Sequence, residues 1–352
     1  MINYRSQDHQ MGHPTPQSPS PRARNHHPLR WLGPLFGSIA LVTGGGWLAD
    51  RTRPPASPPP IAQNPELPLP LDQSAQSAAN PAITLPTQFS TAKPVPMGCR
   101  TIAGEKICIT LVDLTDPEVF LDVGLAHDAK QANNSKASRG DEQFTRMVRR
   151  HRAAVTVNGT FFSMDKQKRV MGNLVSGGRF LKFSPWENYG TTLGLRLGNR
   201  PEMTTARVDG KPQWDQHWFS ITAGPRLIRQ GKIKIQPQAE GFSDRGMTEG
   251  AALRVAIGYP KSGRSLMLVT FLSPVTLHKE AKIMAALGNH EAMNLDGGTS
   301  VGLAKGNKIL KPAGRELTNV ITVYDQQYPA PKALRDSWRT FQRGGTVVAK
   351  QP

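Results

Sequence analysis

The sequence predicts an α+β fold: a single globular domain of mostly antiparallel or mixed β-sheets with a few packed helices, behind an N-terminal membrane anchor. Three observations predict it. Strand-like runs outnumber helical ones between about Gly98 and Tyr324. Several runs are joined by turns short enough for hairpins, such as "AKGNKI" around Gly306-Asn307. One apolar segment, "WLGPLFGSIALVTGGGWLA" at 31–49, lies upstream with nothing beside it able to cover it.

In chain order, residues 1–30 are rich in Pro, His, Ser, Gln and Arg. They have too little hydrophobicity to offset chain entropy and are expected to form a disordered basic tail. Segment 31–49 is about the length needed to cross a bilayer, and membrane helices tolerate its Pro34 and its run Gly44, Gly45 and Gly46. Arg22, Arg24 and Arg30 favour a cytoplasmic N-terminus, whereas Arg51 and Arg53 blur that signal. An uncleaved signal anchor is the favoured expectation, leaving the C-terminal domain membrane-anchored and periplasmic or extracellular. Secretion after signal cleavage is the alternative, opposed by the lack of a small-x-small site before Arg51. Residues 50–96 are rich in Pro, Ala, Ser and Gln and read as a semi-extended linker. The globular domain is expected over 97–325. Residues 326–352 form a C-terminal tail with at most one peripheral helix around 331–343.

Within the domain, Cys99 and Cys108 flank an Ala-Gly turn between two short β-like runs. Cross-strand neighbours in such a hairpin meet disulfide geometry if the register matches, and export favours the bridge. Two buried thiols are the alternative. "GDEQFTRMVRRHRA", 140–153, predicts a helix with Asp141 as N-cap and Phe144, Met147 and Val148 on its apolar face. "TLHKEAKIMAALGNH", 276–290, predicts a second, with Thr276 as N-cap, Leu277, Ile283, Met284 and Leu287 as its stripe and Gly288 ending it. Each helix leads into a short strand that ends in a polar glycine turn, "AAVTVNGTFF" and "EAMNLDGGTS". The remaining strands read as "ICITLVDL", "TTLGLRL", "FSITAGPRLI", "RVAIGYP", "SLMLVTFL" and "NVITVY".

The formal net charge of +18 attracts polyanions, but the basic residues are scattered rather than set among aromatics, and no nucleic-acid motif is present. The expected partner is therefore an anionic polysaccharide or phosphate-bearing substrate, not nucleic acid. The nine histidines are dispersed, and no His-Glu-x-x-His or tight acidic cluster occurs, so neither a metal nor a cofactor is expected.

Four polar turns stand out: Asn158-Gly159-Thr160, Gly224-Pro225, Arg254 heading "RVAIG", and Asn294 to Ser300. Singly, each also reads as an ordinary turn residue or surface cation. In their order, "NGTFF", "TAGPRLI", "RVAIGY", "HEAMNLDGGTSVGL" and "GRELTNVITVY" resemble the phosphodiester glycosidase family over roughly 97–325. Two departures bear on substrate identity. The family usually has a second glycine at Thr160, and an Asp-Gly-Arg-like turn where this chain has "FLSPVTL" at 271–277.

The resemblance implies an exported hydrolase that cleaves sugar-1-phosphate diesters in envelope or extracellular polysaccharide. A non-catalytic module binding anionic glycans, or a phosphodiesterase attacking phosphorus, are the alternatives. Cleavage at the anomeric carbon develops positive charge on the sugar while the phosphate leaves as an anion. A carboxylate near that carbon can stabilise the cation, act as nucleophile or activate water. Asp296 is the candidate. Arg254 is the candidate for a phosphate-binding fork, with Arg315 second. Backbone N–H groups at Gly297, Gly298 and Thr299 are expected to form an anion nest. Asn158, Thr160, Asn294, Ser300 and Asn319, with Gly159 and Gly224 at their turns, are the expected substrate-binding set. Glu291, Glu249 and Asp209 are the possible second carboxylates.

Overall fold

The computed structural model describes residues 93–133 and 140–345. The expected tail, the segment at 31–49 and the linker up to residue 92 lie outside the described residues. Among the described residues, no helix is long and apolar enough to cross a membrane.

Three antiparallel sheets make up the domain. The first runs β1 (Met97–Ile102), β2 (Glu105–Asp113), β13 (Ser265–Phe271), β12 (Val255–Tyr259), β14 (Glu291–Asn294), β10 (Arg226–Arg229), β11 (Lys232–Ile233). The second runs β16 (Lys308–Lys311), β15 (Leu303–Lys305), β4 (Val155–Asn158), β17 (Asn319–Tyr324), β3 (Phe120–Leu125). The third runs β6 (Arg179–Lys182), β5 (Leu174–Ser176), β9 (Phe219–Ala223), β7 (Thr191–Arg196), β8 (Arg200–Thr205). The run "FSITAGPRLI" is thus two strands, because the chain leaves the third sheet at Gly224 and enters the first at Arg226.

The alternation of side chains along each strand assigns the cores. In the first sheet, Ile107, Ala256 and Phe271 face helix α5 (Leu277–Ala286), whose Leu277, Ala281, Ile283 and Met284 close over them. Their neighbours Cys108, Val255 and Ile257 face the other way, into a larger core shared with Val155, Leu193, Ile221 and Ile321 of the other sheets. Helix α1 (Phe144–His151) covers the second sheet by packing Phe144, Met147 and Val148 on Ala304 and Val320. Burial of each such side chain contributes about 1.5–3 kcal/mol. The shorter helices are α2 (Ala206–Asp209), α3 (Pro237–Glu240) and α4 (Arg245–Glu249), and α6 (Lys332–Gln342) is the peripheral C-terminal helix.

The Thr276 side chain caps α5 by accepting from the Lys279 N–H, as its sequence signal predicts. Asp141 does not cap α1. Gln143 holds that position without a side-chain bond, because Glu142 is first drawn into a β-bridge with Leu317. Leu287 sits past the last turn of α5, only half buried, and Gly288 follows at φ +83°.

Cys99 and Cys108 face each other across the β1–β2 ladder and are bridged, with Ala103 and Gly104 at positive φ in the turn. A pair of serines at the two positions is expected to keep the hairpin but lose about 2–3 kcal/mol in chemical denaturation, the loop-closure term for so short a loop. Wild-type protein treated with an alkylating agent should show no free thiol by mass.

Candidate active site

All four polar turns meet where the three sheets run out of ladder partners, and side chains stitch the gap. Asn158, at the end of β4, donates from Nδ2 to the Asp296 carbonyl at 2.7 Å and accepts from Gly302 N at 3.1 Å. The Asp296 N–H in turn donates to the Gly159 carbonyl. Thr160 Oγ1 donates to the Thr222 carbonyl, and Asn319 brackets Thr160 through its N–H and C=O. Asn294 Nδ2 donates to the carbonyls of Gly224 and Leu295. A Cβ on Gly159 would lie 1.9 Å from Asn319 Oδ1, which is why glycine stands there. The polar groups of Asn158, Thr160 and Asn319 are therefore engaged within the protein.

Asp296 is buried at this junction. Its Oδ1 accepts from Gly297 N at 2.9 Å, and its Oδ2 from Arg315 Nη2 at 3.1 Å. Burial raises the carboxyl above its usual range, against the opposing pull of hydrogen bonds from Ser300, Arg315 and Gly297 and the Arg315 charge. Arg315 also donates from Nε to Ser300 Oγ at 2.6 Å and lies 4.4 Å over the Phe162 ring. The two glycines after Asp296 serve different ends. A Cβ on Gly297 would meet the Leu253 carbonyl at 2.7 Å, whereas Gly298 has open space but φ +60°. The anion nest is not formed as expected: Gly297 N–H bonds the Asp296 side chain and Gly298 N–H the Leu253 carbonyl.

The structure separates the two arginines. Arg254 is 2% exposed; its Nη2 donates to the carbonyls of Met247 and Gly250, in the segment carrying α4, and its Nε to that of Val275, so this edge of the guanidinium is engaged rather than presented as a fork. Glu280 lies 3.9 Å from it, fully buried, and burial pushes that carboxyl up to about 8 despite the arginine's charge. None of the expected second carboxylates bonds to the Asp296 group. Glu291 and Asp209 are paired with Arg226, and Glu249 is paired with Arg245 on the exposed face of α4.

Asp296, Arg254, Arg315, Asn294, Gly297 and Gly298 line one cleft of about 630 Å³, a volume suited to a small ligand. Its walls add residues that sequence reasoning missed: Phe161, Phe162, Met164, Met171, Tyr189, Phe242, Asp244 and Met247. Phe161 and Phe162 adjoin the Asn-Gly turn and were within its reach. Tyr189 and Phe242 sit in stretches with no polar glycine signal. Asp244 caps α4 through Met247 N, so its sequence reads as a helix cap. A second cleft of about 700 Å³ lies beneath α6, but its Asp122 is held by Ser176, whose hydroxyl also accepts from Val123 N. Among the described residues, no three His, Cys, Asp or Glu side chains are grouped to hold a metal.

Residues 151–324 match the phosphodiester glycosidase family. The fold is similar to that of the catalytic domain of zebrafish N-acetylglucosamine-1-phosphodiester alpha-N-acetylglucosaminidase, solved with its pro-peptide in place. That match has a TM-score of 0.52 at 18% identity and covers 68% of this chain and 86% of that one. A hypothetical protein from Synechocystis matches with a TM-score of 0.48 at 17% identity, over 65% of this chain. The chain spans 61% of the length of that protein. No curated protein matches the sequence.

The Glu280 carboxyl gives a pH test. Its folded value lies above its unfolded one, so the folded state holds the proton more tightly. Stability should fall as pH rises from about 4.5 to about 8 and level off above. Glu280→Gln is expected to flatten that slope by at least about 1 kcal/mol across the window, read from urea midpoints at several pH values.

Proposed function

We propose that this domain, whose residues 151–324 carry the phosphodiester glycosidase match, hydrolyses sugar-1-phosphate diesters at the anomeric carbon. The observation that carries the reading is the Asp296–Arg315 pair, a buried carboxylate and a half-exposed guanidinium side by side in an aromatic-walled cleft. Asp296 lies against the anomeric carbon, stabilises the positive charge that develops there and takes a proton from the attacking water. The bond between C1 and the bridging oxygen breaks, and that oxygen leaves with the phosphate as an anion. A phosphate needs little protonation to leave, so a single buried carboxylate suffices. Arg315 takes the role of phosphate ligand ahead of Arg254. Among the described residues its Nη1 has only the Met164 sulfur, a weak acceptor, as a hydrogen-bond partner, whereas Arg254 already holds three carbonyls.

The cellular setting belongs to the same proposal. The apolar segment at 31–49 and the Pro-rich linker support export and membrane tethering, and the net charge of +18 suits an anionic envelope or extracellular polysaccharide as substrate. Reporter fusions made after Pro96 should be active on the outer side of the cytoplasmic membrane. Activity confined to the cytoplasm would overturn that part.

Asp296→Asn keeps the size and the Gly297 bond but removes the charge. It is expected to cost at least about two orders of magnitude in kcat, or about 3 kcal/mol, with the fold intact. Arg315→Lys should raise KM for the diester about tenfold or more, because a point charge cannot replace the fork. Hydrolysis in oxygen-18 water should place the label in the sugar. Label in the phosphate would mean attack at phosphorus, and absence of turnover on any glycosyl diester would leave a binding module.

A further inference from the structure

We propose that the substrate's phosphate is esterified on its far side to an alkyl or lipid chain, and that Met164 and Met171 receive this chain at the mouth of the cleft. The inference deepens the reading above and rests on it in taking Arg315 as the phosphate ligand.

The contacts of Arg315 set an order along the cleft. Its Nε and Nη2 reach Ser300 Oγ at 2.6 Å and Asp296 Oδ2 at 3.1 Å. Its Nη1, at the other end of the planar group, meets Met164 Sδ at 3.2 Å. With the sugar C1 against Asp296 and the phosphate on Arg315, the remaining ester oxygen lies on the Met164 side.

That side is apolar and open. Met164 is 67% exposed and Met171 42%, and both line the cleft. They belong to a hairpin over 161–171, held by the Phe162–Val170 bridge and by two bonds of 2.8 Å, Ser163 N–H to the Arg169 carbonyl and Met171 N–H to the Phe161 carbonyl. Residues 163 and 165–169 of this hairpin are polar or charged, yet none of them lines the cleft. Its contribution there is Phe161, Phe162, Met164 and Met171. Apolar side chains scattered over a surface are ordinary, whereas exposed ones gathered on the wall of one cleft mark where the apolar part of a ligand rests.

The chemistry of the wall selects the ester. A sugar or glycerol would set its hydroxyls against a thioether, which accepts only weakly, and against methyl and methylene groups, which accept nothing. An alkyl chain instead gains by leaving water, and the unbranched, polarisable methionine side chain adapts to its shape. The substrate class is therefore a glycan joined from its anomeric carbon through phosphate to an apolar alcohol. A polysaccharide whose reducing end carries such a phosphate belongs to it.

The test separates the apolar contact from the reaction. Methyl phosphate and hexyl phosphate, which carry no sugar, are titrated into the full-length protein and its Met164→Gln, Met171→Gln and Met164→Leu variants. The methyl and hexyl phosphodiesters of glucose, galactose, mannose and N-acetylglucosamine 1-phosphates are assayed in parallel. The wild type is expected to bind hexyl phosphate about tenfold more tightly than methyl phosphate, through partial burial of the added methylenes. Either glutamine variant should cut that ratio to about threefold or less, and Met164→Leu should keep it. The ratio is the readout because glutamine at 164 also offers Arg315 a stronger acceptor than sulfur. A hexyl preference that depends on the methionines, without turnover of any diester, would uphold the apolar contact and overturn the proposed reaction. Turnover with equal kcat/KM for methyl and hexyl diesters would overturn the contact and leave the reaction standing. A hexyl preference that both glutamine variants keep, or no binding of either alkyl phosphate, would also overturn it.

Discussion

The clasp made by Asn158 is the interaction on which the site depends. Its side chain joins the Asp296 carbonyl to the Gly302 N–H, and the Asp296 N–H returns to the Gly159 carbonyl. At this point β4 and β14, which belong to different sheets, have no further ladder to share. A buried backbone group without a partner costs about as much as a lost hydrogen bond, so the sheets can meet here only if a side chain completes them. An amide is suited to it because it donates from one end and accepts at the other. With both backbone polar groups of Asp296 held, its carboxylate has a fixed origin at the edge of the cleft.

Burial then divides the charged groups between structure and chemistry. Arg254 is deep, bonded to three carbonyls, with Glu280 beside it, and it fixes the segment that carries α4 and one wall of the cleft. Arg315 lies at the mouth, 29% exposed at its side chain, and reaches Asp296 with one nitrogen. Removing one partner of a buried pair leaves a charge without compensation, whereas a half-exposed guanidinium can change partners at low cost. Only the second kind of arginine can let go of a carboxylate and take hold of a ligand. Glu291 is buried against Arg226, and the more exposed Asp209 pairs with the same guanidinium, so carboxylates that look available in the sequence are engaged elsewhere than in the cleft.

Much of the fold was legible because it rests on local periodicity. Thr276 and the stripe of α5 mark a helix by residue type and spacing alone, and the alternation along "ICITLVDL" and "RVAIGYP" marks strands that the structure contains. The hairpin register follows from a two-residue turn, so Cys99 opposite Cys108 was legible too. The start of α1 was not, because the bridge between Glu142 and Leu317 spans 175 residues of chain and overrides a local capping signal.

At the site, the sequence by itself determined which turns converge: Asp296, Asn158, Thr160, Gly224 and Asn294 stand out as polar breaks in apolar strands, and the structure brings them together. What each does there was decided by tertiary structure alone. Asn158, Thr160 and Asn319 stitch sheets, Gly297 and Gly298 use their N–H groups internally, and Arg254 is a clamp. Tyr189, Phe242 and Asp244 enter the cleft from loops with no distinguishing pattern. The reason is physical. A residue's type limits which hydrogen bonds it can make, but whether those bonds face the protein or a ligand depends on which neighbours the fold brings to it, and for Asn158 and Asn319 these lie more than a hundred residues away.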